Sequence, residues 1–219
     1  MKRMALLDVR TLSNQVFEKV RDRILSGELA ADAPIRQDAL ATELGVSKIP
    51  VREALSKLES DGLVASHPYR GFVVRPLSRE EAEDVFDLRL KLEPEATALG
   101  AARADAAAQA AAEAALTALD RALRTHAPDV GRRNREFHLA LVRPSGREIT
   151  VQTIERTLTL SERYVSVHLG PRGRSDRARR EHKDLLEAWL KRREAAVRKQ
   201  TEQHINATLR DLRAQLPAD

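Results

Sequence analysis

Cysteine is absent from the 219-residue chain. That excludes a disulfide framework, a thiolate zinc site, an iron–sulfur cluster and a cysteine nucleophile. Aromatic residues make up only 3% of the sequence, so Leu, Val and Ala must fill whatever core exists. No apolar run approaches the roughly 18 residues of a membrane span. The opening Met1 to Asp8 has no signal-peptide core, so a cytoplasmic protein without membrane contact is expected. Charge of one sign is also scarce. The formal net charge is +5, divided as +2 over residues 1–76 and +3 over 77–219, and neither part is a basic tail. Binding to a polyanion would have to come from where charges sit, not from their sum. With 42% hydrophobic residues the chain is globular rather than disordered, and long enough for one large domain or two small ones.

Two regions follow different patterns. Up to about residue 76 the spacing predicts three short helices and a hairpin. Leu12, Val16, Val20, Ile24 and Leu25 recur at helical intervals until Gly27. After an extended stretch through Pro34, Asp38 to Leu44 forms a second helix closed by Gly45. Ser47 caps a third, with Val51, Leu55 and Leu58 inward and Pro50 in its first turn. Gly62 stops it. Leu63 to Ser66 and Gly71 to Val74 then read as two strands joined by His67-Pro68-Tyr69-Arg70. From Ser78 onward no strand pattern occurs. Helices are predicted from Ser78 with a kink at Pro94, from Asp105 to about Thr125, and near 129–142, 147–169, 176–192 and 194–215. Pro144-Ser145-Gly146 and Gly170-Pro171-Arg172-Gly173 punctuate them. The fold class is therefore mainly α, a three-helix winged helix-turn-helix over 8–76 and an all-α bundle of about six helices over 79–215.

Counting from Gln37, Ala41 stands fifth, Gly45 ninth and Val51 fifteenth. A small residue lets two helices approach, glycine takes the turn at positive φ, and a β-branched residue locks the second helix onto the first. That arrangement frees the start of the second helix for a major groove. Ser47 and Lys48 suit phosphate or base edges, Ile49 a thymine methyl, and Arg52 the O6/N7 pair of guanine. His67, Tyr69, Arg70 and Gly71 at the hairpin tip form a candidate wing. A compact helical hairpin with solvated charges would show the same spacing.

Three linked motifs carry a resemblance. Ser-Lys-Ile-Pro-Val-Arg-Glu-Ala-Leu (47–55), Leu58-Glu59-Ser60-Asp61-Gly62-Leu63-Val64 and Arg70-Gly71-Phe72-Val73-Val74 resemble the GntR family of bacterial winged helix-turn-helix repressors, over about Leu12 to Leu77. The resemblance implies binding to a double-stranded DNA operator. The family usually has Arg where this chain has Lys48. Lysine lacks the planar fork, which favours phosphate over a bidentate base contact. Family members also place a DNA-contacting Arg early in the second helix; here Arg36 lies just before it and Asp38 inside it.

In the second region Asn134 and His138 share a helical face, His182 lies with Leu185, Leu186 and Trp189, and His204 lies on a polar stripe with Val197, Thr201 and Thr208. Three imidazoles from three helices either meet around zinc or nickel or remain structural, and spacing alone leaves both open. A metal-dependent hydrolase would also need a carboxylate base. Glu136 and Glu181, beside His138 and His182, are expected to point elsewhere.

Residues 80–213 resemble the FCD ligand-binding domain of the FadR subfamily through Phe86-Asp87-Leu88-Arg89-Leu90-Lys91-Leu92-Glu93, Asn134-Arg135-Glu136-Phe137-His138, Glu181-His182 and His204-Ile205. Metal-binding members of that subfamily use one Asp and three His. By position these fall on Asn134, His138, His182 and His204, with Asn replacing the acid. Arg147 likewise stands where the family favours Asn. The resemblance implies a homodimeric regulator and not an enzyme, whose operator affinity responds to a small organic acid bound at or near a divalent metal. A constitutive dimeric DNA-binding protein without metal or effector is the alternative.

Overall fold

The computed structural model describes residues 12–127, 129–169 and 173–216, apart from the side chains of 166–168. The expected domain start at residue 8 and the Gly170-Pro171-Arg172 turn lie outside these residues. The chain divides into two compact units between Pro76 and Leu77.

In the first unit α1 (Leu12–Leu25) buries Val16, Val20 and Ile24, one turn apart on one face. Leu12, at the end of that series, stays 57% exposed. α2 (Gln37–Leu44) ends at Gly45, whose φ of 65° lets its N–H reach back to the Ala41 and Thr42 carbonyls. The next helix, α3 (Lys48–Ser60), buries Val51, Ala54, Leu55 and Leu58. These side chains join Leu63, Val64, Phe72 and Val74 in one apolar core. Ser47 takes the N-cap position of α3 with extended backbone, but its side chain makes no capping hydrogen bond.

The hairpin pairs β2 (Val64–His67) with β3 (Gly71–Val74) in antiparallel register, Val64 opposite Val74 and His67 opposite Gly71. A third strand, β1 (Pro34–Ile35), adds to the other edge of β3, giving the order β1-β3-β2. The wing is therefore three-stranded rather than two-stranded. Proline is tolerated in β1 because an edge strand has one row of groups that no neighbour uses.

The second unit contains six long helices among the described residues. They are α4 (Arg79–Arg103), α5 (Ala106–Thr125), α6 (Val130–Val142), α7 (Glu148–Leu169), α8 (Arg174–Leu190) and α9 (Glu194–Gln215), with a single 3-10 turn at Arg143–Ser145. Ser78 caps α4 by accepting from the Glu81 N–H at 3.2 Å, and Asp105 caps α5 by accepting from Ala108 at 2.8 Å. α4 runs as one helix through Pro94. The Ala-rich α5 buries Ala112, Leu119, Ala122 and Leu123, which makes it a packed helix despite its composition.

Gly100 fixes how closely α4 and α6 approach. A Cβ there would stand 2.1 Å from the Leu141 carbonyl oxygen, the same oxygen that accepts from Trp189 Nε1 at 3.2 Å. α4, α6 and α8 are thus held around one backbone carbonyl. None of the described helices is long and apolar enough to cross a membrane.

Candidate nucleic-acid interface and metal centre

The candidate DNA-reading surface belongs to the first unit. Ser47, Lys48, Ile49 and Arg52 are all exposed along the start of α3, and Arg36, His67 and Arg70 are exposed around it. Lys48 and Arg52 lie one helical turn apart, hence on one face. Ile49 is 70% exposed, an unusual position for a β-branched apolar side chain with a hydrophobic core close by. Arg36, Lys48, Tyr69, Arg70 and Gly71 border one cleft of about 830 Å³. At the wing tip Tyr69 is fully exposed at φ 66° and Gly71 follows at φ 70°.

Asp38 also lines this cleft and pairs with Lys48 at 2.5 Å, both side chains standing largely in water. Such a pair is weak, so the ammonium is easily transferred to a phosphate. The surface offers cations, a hydroxyl and one methyl-rich side chain. That set suits a DNA groove.

The second constellation is buried. His138 on α6, His182 on α8 and His204 on α9 are 2%, 2% and 8% exposed. One nitrogen from each lies within 4.8 Å of the others. His182 Nε2 and His204 Nε2 are 3.2 Å apart, and the His138 and His204 rings stack at 5.3 Å. Asn134 is buried one turn before His138. Phe137 closes one side, edge-on to both His138 and His182.

Burial pushes the His138 imidazole well below its usual pKa, and the charges of His204, Arg89 and His182 push it the same way. A neutral imidazole is the form that ligates a metal. His138 Nε2 is buried without a hydrogen-bond partner. Leaving such an atom unsatisfied costs about 1–3 kcal/mol, which a bound cation would offset. The three histidines therefore fit a divalent ion that favours nitrogen ligands.

Several polar residues around the cluster were not identified as functional from the sequence. Arg89 and Glu93, one turn apart on α4, form a buried ion pair, with Nε to Oε1 at 2.5 Å and Nη2 to Oε2 at 3.3 Å. Arg89 Nη1 also donates to Ser161 Oγ at 3.3 Å, and Glu93 Oε2 lies 3.6 Å from His138 Nδ1. Their i, i+4 spacing was visible; their burial was not. Glu181 does not point away from the histidines as expected. Its Oε2 is 2.7 Å from His204 Nδ1, because α9 lies alongside that face of α8. Glu136 does turn away, and is engaged by Arg132 and Arg133. Arg147 is exposed.

Comparison with known proteins finds one family model in each unit. Residues 12–74 match the family model described as "Bacterial regulatory proteins, gntR family", and residues 84–207 match the FCD domain. A transcriptional regulator of Paraburkholderia xenovorans, BphR, is 32% identical over 168 residues, covering 73% of this chain and 68% of its own. YdhC of Bacillus subtilis is 25% identical across 88% and 87% of the two chains, and the Escherichia coli repressor GlaR is 29% identical across 68% and 70%. The solved structure of Escherichia coli McbR/YncC shares the fold at a TM-score of 0.80 and 22% identity, covering 94% of this chain and 99% of that one. These relatives are transcriptional regulators and not enzymes. With a DNA-binding unit of three helices and a wing followed by a helical domain built around buried histidines, the chain belongs to the GntR family of bacterial transcriptional regulators and carries an FCD domain.

Proposed function

We propose that the chain is a homodimeric, effector-responsive repressor, with a DNA-reading domain over 8–76 and an effector-binding, dimerising domain over 79–215. Arg36, Ser47, Lys48, Ile49, Arg52, His67, Arg70 and Gly71 meet the operator. Arg52 reads a base edge, and Lys48 holds phosphate. Two copies on two half-sites supply the specificity that one small module lacks.

His138, His182 and His204, with Asn134 through its amide oxygen, hold a zinc or nickel ion. The single observation that supports this is the convergence of three buried imidazoles from three helices, one of them with an unpartnered nitrogen. The ion would supply a Lewis-acidic anchor for the carboxylate of a small organic acid. The chain's own part is to orient the imidazoles and exclude water. Since α8 and α9 each deliver one of the ligands, an effector that binds there with different affinity in two arrangements of these helices shifts the population of DNA-competent protein.

The test combines elemental analysis with operator binding by fluorescence anisotropy while organic acids are titrated. Bound metal and an acid-dependent fall in affinity are expected. His182→Ala should remove the metal while leaving effector-free DNA binding intact. A metal-free protein whose DNA affinity no acid alters would instead identify a constitutive DNA-binding dimer.

A further inference from the structure

The proposed ligand set is electrically neutral, three imidazoles and one amide. A divalent cation buried among them needs negative charge nearby, since an uncompensated ion in a poorly polarisable interior is strongly disfavoured. Where the resemblance places an aspartate this chain has Asn134, so the charge must come from elsewhere. Two carboxylates reach the outer nitrogens of the histidines. Glu93 approaches His138 Nδ1 at 3.6 Å, but both of its oxygens are bound to Arg89. Glu181 differs. Its Oε2 is 2.7 Å from His204 Nδ1, while Arg177 approaches its Oε1 at 3.4 Å and is held more closely by Asp211.

Geometry explains how one helix does two jobs. Consecutive residues on a helix point about 100° apart. His182 therefore faces the interior of the bundle while Glu181 faces α9. His204 meets both, with Nε2 3.2 Å from His182 and Nδ1 on Glu181. A proton held on Nδ1 by a carboxylate leaves the Nε2 lone pair directed at the cluster and makes that nitrogen more basic.

We infer that Glu181 is a positioning residue for the metal centre, fixing His204 with its Nε2 toward the ion and supplying the negative charge that Asn134 does not. This rests on the three imidazoles being metal ligands. It assigns the compensating charge to the carboxylate behind a ligand instead of to a ligand itself.

The full-length chain, freed of metal with a chelator, would be titrated with Zn²⁺ by calorimetry in competition with a weaker chelator. Glu181→Gln keeps an oxygen able to accept from Nδ1 and removes only the charge; its affinity should fall about 10- to 100-fold. Glu181→Ala removes both and should fall at least as far. Adding Asn134→Asp to Glu181→Gln should restore at least tenfold, a rescue that a merely structural role for Glu181 would not give. In the metal-free protein, long-range ¹⁵N correlations should report His204 protonated on Nδ1, and a mixture of tautomers in Glu181→Ala. Wild-type affinity in Glu181→Gln, or an unchanged His204 tautomer in Glu181→Ala, would overturn the role of Glu181 while leaving the metal site standing. A wild-type chain that binds no Zn²⁺ would overturn both.

Discussion

In the winged unit, Arg36, Lys48, Ile49, Arg52 and Arg70 stand in water around an apolar core, and only Ser13 and Arg21 are buried polar side chains among the described residues. In the helical unit fourteen polar or charged side chains are buried among the described residues, Arg89, Glu93, Asn134, His138, His182, Thr201 and His204 included. Exposed cations waiting for DNA cost the fold almost nothing, because water solvates them until a phosphate arrives. Buried imidazoles and an ion pair lose solvation in every molecule, bound or not. The first unit can therefore be a plain stable domain with function on its outside. The second gives up part of its core to a polar interior, so under the proposed function its stability depends on what it binds.

The sharpest way to separate the two is to damage one core and ask whether the other unit notices. Leu55 is fully buried in the winged unit. Leu55→Ala should cost about 2–5 kcal/mol. In thermal or denaturant melts the winged unit should unfold first and DNA binding should be lost. Zn²⁺ titration of the same variant should match wild type; lost metal binding would show that the units are not energetically separable.

The converse damage uses Gly100. Gly→Ala inside a helix normally stabilises by about 1 kcal/mol. Here the new Cβ would collide with the Leu141 backbone oxygen at 2.1 Å. Gly100→Ala should therefore destabilise the helical unit, by about 1–3 kcal/mol through overpacking. An unchanged or raised melting temperature would mean that α4 and α6 separate without penalty.

The smallest effect on stability belongs to the exposed surface. Arg52→Ala should leave both melting and metal content as in wild type while reducing discrimination between operator and unrelated DNA by about 1–3 kcal/mol. Unchanged sequence preference in competition binding would remove Arg52 from the base-reading set.

How legible each feature was depended on whether its cause is local. Helical spacing, the positive-φ turn at Gly45 and the inward Val51, Leu55 and Leu58 are written within a few residues of themselves, and the structure has them so. β1 is not. It is two residues long and exists because Pro34 and Ile35 meet Val73 and Phe72, nearly forty positions away. Ser47 had the residue type of a cap and the position of one, yet makes no capping bond. Leu12 fitted the apolar series of α1 but ran past the end of the core it would have joined.

Composition and pattern by themselves determined that the chain has no thiol of its own, that two regions differ, that the first holds three short helices and a hairpin, and that three histidines lie on three helices. Those properties follow from residue type and from the 3.6- and 2-residue periods of the backbone. Tertiary structure alone decided that the three imidazoles converge, that the Arg89–Glu93 pair is buried beside them, and that Glu181 reaches His204. The helical period fixes the direction in which Glu181 leaves α8. What it meets there depends on which helix packs alongside, and that is set by the burial of apolar faces across the whole unit.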